Sequence, residues 1–85
     1  MKDDKILDLT VETTRGTKAV SFDKTAKISD VIAEVVRLCG FASGDRFDLF
    51  LKSDLQHPLQ PERTLVSYHM TDGTVLVLSQ VGSGV

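Results

Sequence analysis

The chain has 85 residues, 41% hydrophobic and 26% charged, which suits one domain with a small core burying about 60–65% of its unfolded surface. A formal charge of −2 and the absence of a basic cluster argue against nucleic acid as the main partner, Lys24 and Lys27 reading as a solvated loop. One cysteine precludes an internal disulfide, no apolar run is long enough for a transmembrane segment, and the first residues lack a signal-peptide pattern, so a cytoplasmic protein is expected.

Residues 5–13 alternate, Leu7, Leu9 and Val11 against Asp8, Thr10 and Glu12, as a strand with one wet face does. Gly16 can take the positive φ of a hairpin loop. Residues 18–23 then form the return strand, with Ala19 or Val20 and Phe22 toward the core. Ser29 is a suitable N-cap for a helix of roughly ten residues, too short to be stable alone. Asp30 sits in its first turn and Gly40 just past its end. Ile28, Val31, Ile32, Val35, Leu38 and Cys39 supply its apolar stripe.

Residues 46–52 read as a third strand, with Phe47, Leu49 and Leu51 on one face and Asp48, Phe50 and Lys52 on the other. That alternation leaves an aromatic ring among polar neighbours. A turn follows at 53–57, and Leu59 reads as a brief edge strand. Asp72-Gly73 marks a turn before Thr74-Val75-Leu76-Val77-Leu78, a continuous apolar run expected to be a central strand. The expected core is Leu7, Leu9, Val11 and Phe22 from the hairpin, Ile28, Val31, Ile32 and Val35 from the helix, and Leu49, Leu51, Leu59, Leu65, Leu76 and Leu78 beyond it.

Arg63-Thr64-Leu65, Tyr68, the turn before the last strand and that strand itself resemble the C-terminal third of ubiquitin and its relatives, with no gap from Arg63 to the end. Together with the element order, the resemblance implies an α+β, β-grasp (ubiquitin-like) fold. Its mixed sheet has four to five strands, with one helix packed across it and the last strand inserted centrally. The domain is expected over 1–80 and a flexible C-terminal tail over 81–85. The resemblance also implies that the Tyr68 hydroxyl caps the backbone near Leu59 and Gln60.

Residues able to do chemistry are few and scattered. Cys39, His57 and His69 could suggest a nucleophile–base pair or a metal site. Cys39 falls on the buried stripe, however, where thiols are inert, and the spacing fits no metal motif. Asp3, Asp4, Asp45, Asp48, Asp54 and Asp72 show no spacing of a catalytic carboxylate pair. Gly82-Ser83-Gly84 precedes no helix and so is no phosphate loop. The expectation is a non-catalytic protein without catalytic residues, metal or cofactor.

Two sites are expected. Phe50 and Val77, joined by Ile6, should form a partner-binding cluster on the sheet face opposite the helix. In ubiquitin-like proteins that face docks partners, so the resemblance points the same way. The second is the tail, Gly82, Ser83, Gly84 and Val85. In ubiquitin-like modifiers an adenylating, E1-like enzyme activates the C-terminal carboxylate, and glycines let it thread a narrow channel. Here the ending departs from Gly-Gly, so activation with or without processing is the reading, with E1/E2-like enzymes as protein partners.

The alternatives are non-covalent. The P-L-x-P-x-x-T-L pattern at Pro58 to Leu65 and the D-G-x-x-L-x-L ending also resemble YukD/EsaB-type accessory proteins of type VII secretion. Asp48-Leu49-Phe50-Leu51 resembles the first lobes of talin and other FERM proteins, which bind small GTPases or membranes. A secretion or signalling complex would then be the partner. Met1 and the compact length favour a free-standing protein.

Overall fold

The computed structural model describes residues 5–41 and 46–81. The alternating N-terminal stretch folds as a hairpin of β1 (Ile6–Thr13) and β2 (Gly16–Asp23), paired from Ile6 opposite Asp23 to Thr13 opposite Gly16. Its short connection needs the φ of 103° that Gly16 adopts. Thr13 Oγ1 donates to the Gly16 carbonyl at 2.7 Å and accepts the Arg15 N–H at 2.9 Å.

Helix α1 spans Ile28–Cys39, so Lys27, not Ser29, is the N-cap. The reason is that the loop before β4 supplies the cap. The N–H groups of Ile28 and Ser29 donate to the carbonyls of Arg63 and Pro61 at 2.9 and 3.0 Å. The Asp30 carboxylate takes the Lys27 N–H at 3.0 Å. With its first donors satisfied by backbone, the helix needs no hydroxyl cap.

At the other end Gly40 sits at φ 73°, its N–H on the Arg37 carbonyl and that of Phe41 on the Val36 carbonyl, both at 3.2 Å. That is the left-handed termination glycine permits. Arg15 ties the hairpin loop to this terminus, with Nη1 2.9 Å from the Cys39 carbonyl and the guanidinium 4.6 Å from the Phe41 ring centre.

β3 (Phe47–Leu51), a 3-10 turn at Val66–Tyr68 and β4 (Thr74–Gln80) complete the chain. The sheet order is β2-β1-β4-β3, with β4 parallel to β1 and antiparallel to β3. The last strand is therefore central, as expected. Leu59 is not a strand. It gives one N–H to the Leu49 carbonyl at 2.7 Å, and Pro58 and Pro61 on either side have no N–H with which to extend a ladder. Among the described residues the sheet has four strands.

Helix and sheet enclose most of the expected apolar side chains, and Val20 and Cys39 join them. Phe22, Ile32 and Leu51 are half-buried at the margin of the core. Leu38 is 42% exposed, in the last turn of the helix and about 65° around it from the centre of the Ile28, Val31, Val35 and Cys39 stripe. Met70, not expected inside, is buried. His69 takes the left-handed conformation at φ 57° and turns the chain back, so the Met70 N–H meets the Leu65 carbonyl at 3.4 Å.

The Tyr68 hydroxyl accepts the Gln60 N–H at 2.8 Å, and the Arg63 guanidinium lies 4.3 Å from the Tyr68 ring centre. Gln60 is exposed, so water can partly replace the lost oxygen. Tyr68→Phe is therefore expected to cost about 0.5–1.5 kcal/mol. A urea melt checks this, and an unchanged midpoint would show that the bond adds nothing.

Candidate functional site

Alternation puts one set of strand side chains under the helix and the other on an open face. The open set includes Thr10 and Glu12 of β1, Val75, Val77 and Ser79 of β4, and Asp48 and Phe50 of β3. Register then decides which of them meet. Phe50 stands directly opposite Val77, Val77 opposite Glu12, and Val75 opposite Thr10. Directly opposed side chains have Cβ atoms about 4.5–5.5 Å apart, so Phe50 and Val77 are neighbours on this face. Phe50, Val75 and Val77 are all half-buried and stand apart from the core cluster.

A charged pair crosses this face. Lys52 Nζ, on the β3 side, lies 2.7 and 2.9 Å from the two carboxylate oxygens of Glu12 on β1 and so spans β4. The Lys52 and Glu12 side chains are 55% and 39% exposed, so their pairing contributes little stability. Its effect is positional. It holds a cation and an anion at the border of the apolar cluster, with Asp48 and Ser79 beyond Phe50 and Val77, giving an apolar centre and a polar rim.

No protein-family model matches the chain, and no curated protein sequence matches it. Solved structures match its shape. A de novo designed protein based on ubiquitin superposes with a TM-score of 0.78 at 23% identity, covering 96% of each chain. The ubiquitin-like domain of an Arabidopsis thaliana protein gives 0.73 at 18% identity, over 89% of this chain and 78% of that one. The chain has the ubiquitin-like β-grasp fold. A further neighbour, from a structure concerned with molecular mimicry of SUMO in the promotion of DNA repair, has a TM-score of 0.76 at 14% identity, over 92% and 95% of the two chains.

Within this ubiquitin-like sheet Ile6 does not join the cluster. It opens β1 opposite Asp23, six residues before Glu12, which places it about 20 Å along the strand from the level of Val77. Val75 is the third apolar member instead. Its signal was present in the sequence, since it shares parity with Val77, but the unbroken apolar run of the last strand hides which residues face outward. Of the tail, Val81 gives its N–H to the Arg46 carbonyl at 2.8 Å. Gly82, Ser83, Gly84 and Val85 lie outside the described residues.

The remaining reactive groups are engaged locally. Cys39 is buried, its Sγ 3.5 Å from Thr13 Oγ1. His57 Nδ1 lies 3.0 Å from Asp54 Oδ1, and that hydrogen bond is the main cause holding the Asp54 carboxyl below its ordinary pKa. Asp72 accepts the Asp8 N–H at 3.0 Å, fastening the turn before β4 to β1. His69 is exposed in its left-handed turn. Asp3, Asp4 and Asp45 are outside the described residues. Among the described residues no three His, Cys, Asp or Glu side chains gather as metal ligands would, and no helix is long and apolar enough to cross a membrane.

Proposed function

We propose that this ubiquitin-like protein is non-catalytic and works by protein–protein recognition through the open sheet face, with Phe50, Val77 and Val75 as the apolar centre. The observation that carries this reading is the side-by-side Phe50–Val77 pair on the helix-free face, bordered by the Lys52–Glu12 ion pair. An aromatic beside an aliphatic, ringed by polar groups, is the arrangement in which a few side chains dominate binding. The cytoplasm is the proposed location, and nucleic acid is not a proposed partner.

The finer proposal is a protein modifier whose tail is activated by an adenylating, E1-like enzyme, with or without processing. Its support is the gapless resemblance from Arg63 onward and the small residues Gly82, Ser83 and Gly84. ATP-dependent adenylate formation tests it, comparing the full chain, a Val85 deletion and Gly84→Trp. The full chain and the deletion should react, and Gly84→Trp should be blocked, because a bulky side chain cannot follow a channel shaped for glycine. All three should unfold at the same urea midpoint. Equal activity after removal of the last four residues, or none from any form with an otherwise competent enzyme, would replace the modifier with a non-covalent adaptor.

A further inference from the structure

A second apolar feature lies on the helix side of the sheet, opposite the Phe50–Val77 face. A shallow groove of about 380 Å³ runs between α1 and the outer margin of β3. Ser29, Ile32, Ala33 and Val36 line it from the helix, Arg46 and Phe47 from the β3 side, together with Pro61.

The outer backbone edge of β3 beside this groove is open at one position. In β3 the even-numbered residues turn their hydrogen-bonding groups toward β4: the Lys52 N–H reaches the Val75 carbonyl at 3.0 Å, and the Arg46 carbonyl receives the Val81 N–H at 2.8 Å. The odd-numbered residues must then point theirs to the outer edge. There the Leu49 carbonyl accepts from Leu59 at 2.7 Å and the Leu51 carbonyl from Asp54 at 2.9 Å. The next position along that edge, the N–H and carbonyl of Phe47, has no hydrogen-bond partner among the described residues. Arg46 likewise has no ion-pair partner among them.

The chain already shows how this edge is used. Leu59 bonds to it through its amide and buries its side chain to 5% exposure. We infer that the groove takes an extended, acidic peptide segment of a partner protein. The segment pairs its backbone with Phe47, lays an aliphatic side chain between Val36, Ile32 and Phe47, and sets a carboxylate against Arg46. Backbone pairing at an exposed edge supplies affinity, and the apolar wall and the cation supply selectivity. An apolar small molecule would leave both Phe47 groups and the Arg46 charge unused, whereas an acidic peptide strand uses all three. This surface is independent of the Phe50–Val77 face.

The test is a titration of the ¹⁵N-labelled full chain with a capped peptide, Glu-Ile-Ser-Val-Ser-Glu, followed by amide chemical shifts. Shifts should concentrate at Phe47, Ile32, Ala33 and Val36. Ala33→Arg, a substitution an exposed helix position tolerates, should abolish binding with the spectrum otherwise that of the folded protein. Arg46→Glu should weaken binding about three- to tenfold and should favour the same peptide with lysines in place of its glutamates. Backbone N-methylation of the peptide's edge-facing amides should remove binding. No shifts, shifts centred on Phe50 and Val77, or affinity indifferent to Ala33→Arg and to N-methylation would each overturn the proposal.

Discussion

Leu76→Ala is expected to lower the unfolding free energy by about 2–5 kcal/mol. Leu76 is fully buried on the central strand, opposite Val11 of β1 on one side and Leu51 of β3 on the other. Truncation there removes a side chain that neighbours on both flanks enclose, and a central strand cannot shift to fill the space without disturbing two ladders. A domain of this length is expected to hold about 4–13 kcal/mol in total, so the loss is a large fraction of it. Urea unfolding should show a lower midpoint at an unchanged slope. A midpoint like that of the wild type would mean that β4 is not where the core is assembled.

Leu65→Ala should cost a similar amount, about 2–5 kcal/mol, with a different local consequence. Leu65 is fully buried although it lies in a connection rather than a regular element. Its N–H donates to the Ala26 carbonyl at 2.9 Å and that of Val66 to Lys24 at 3.0 Å, which docks the connection beside the start of α1. The same connection provides the Arg63 and Pro61 carbonyls that cap the helix. Loosening Leu65 should therefore expose the Ile28 and Ser29 amides to solvent. Hydrogen exchange should show those two amides losing protection beyond the global loss of stability. Uniform loss across the helix would indicate a plain cavity and no capping role for the loop.

The fold was legible because several levels of the sequence agree. Leu7, Leu9 and Val11 alternate through β1, Gly16 and Gly40 fall where positive φ is needed, and the apolar run from Thr74 to Leu78 announces a strand paired on both sides. Departures occur where a tertiary contact replaces a local rule. Ser29 is a better local cap than Lys27, yet a loop distant in sequence supplies the acceptors. Met70 follows a histidine in a turn and looks exposed until the left-handed His69 reverses the chain. Leu38 repeats at a helical interval from Val31 and Val35, and only the orientation of the helix on the sheet places it outside.

The same division holds for the sites. Phe50 was visible as an aromatic on the wet side of an alternating strand, and Val77 as its central-strand counterpart. Which residues neighbour them depends on the parallel register between β1 and β4, which side-chain pattern alone does not specify. That register excludes Ile6 and admits Val75. It also brings Glu12 and Lys52, forty positions apart in sequence, into one ion pair. The α1–β3 groove had no sequence signal, since it arises from how Ala33, Phe47 and Pro61 come together.

On the proposed function, the open sheet face binds a protein partner and contributes little to holding the fold together. Phe50→Ala tests this most directly, measured twice on the same preparation, by urea unfolding and by equilibrium binding to the partner. Stability is expected to stay within about 1 kcal/mol of wild type, because Phe50 stands apart from the core cluster. Binding should weaken by about 1–3 kcal/mol, roughly five- to 150-fold in Kd. A variant that unfolds readily, or one that binds its partner as tightly as the wild type does, would contradict the proposed function.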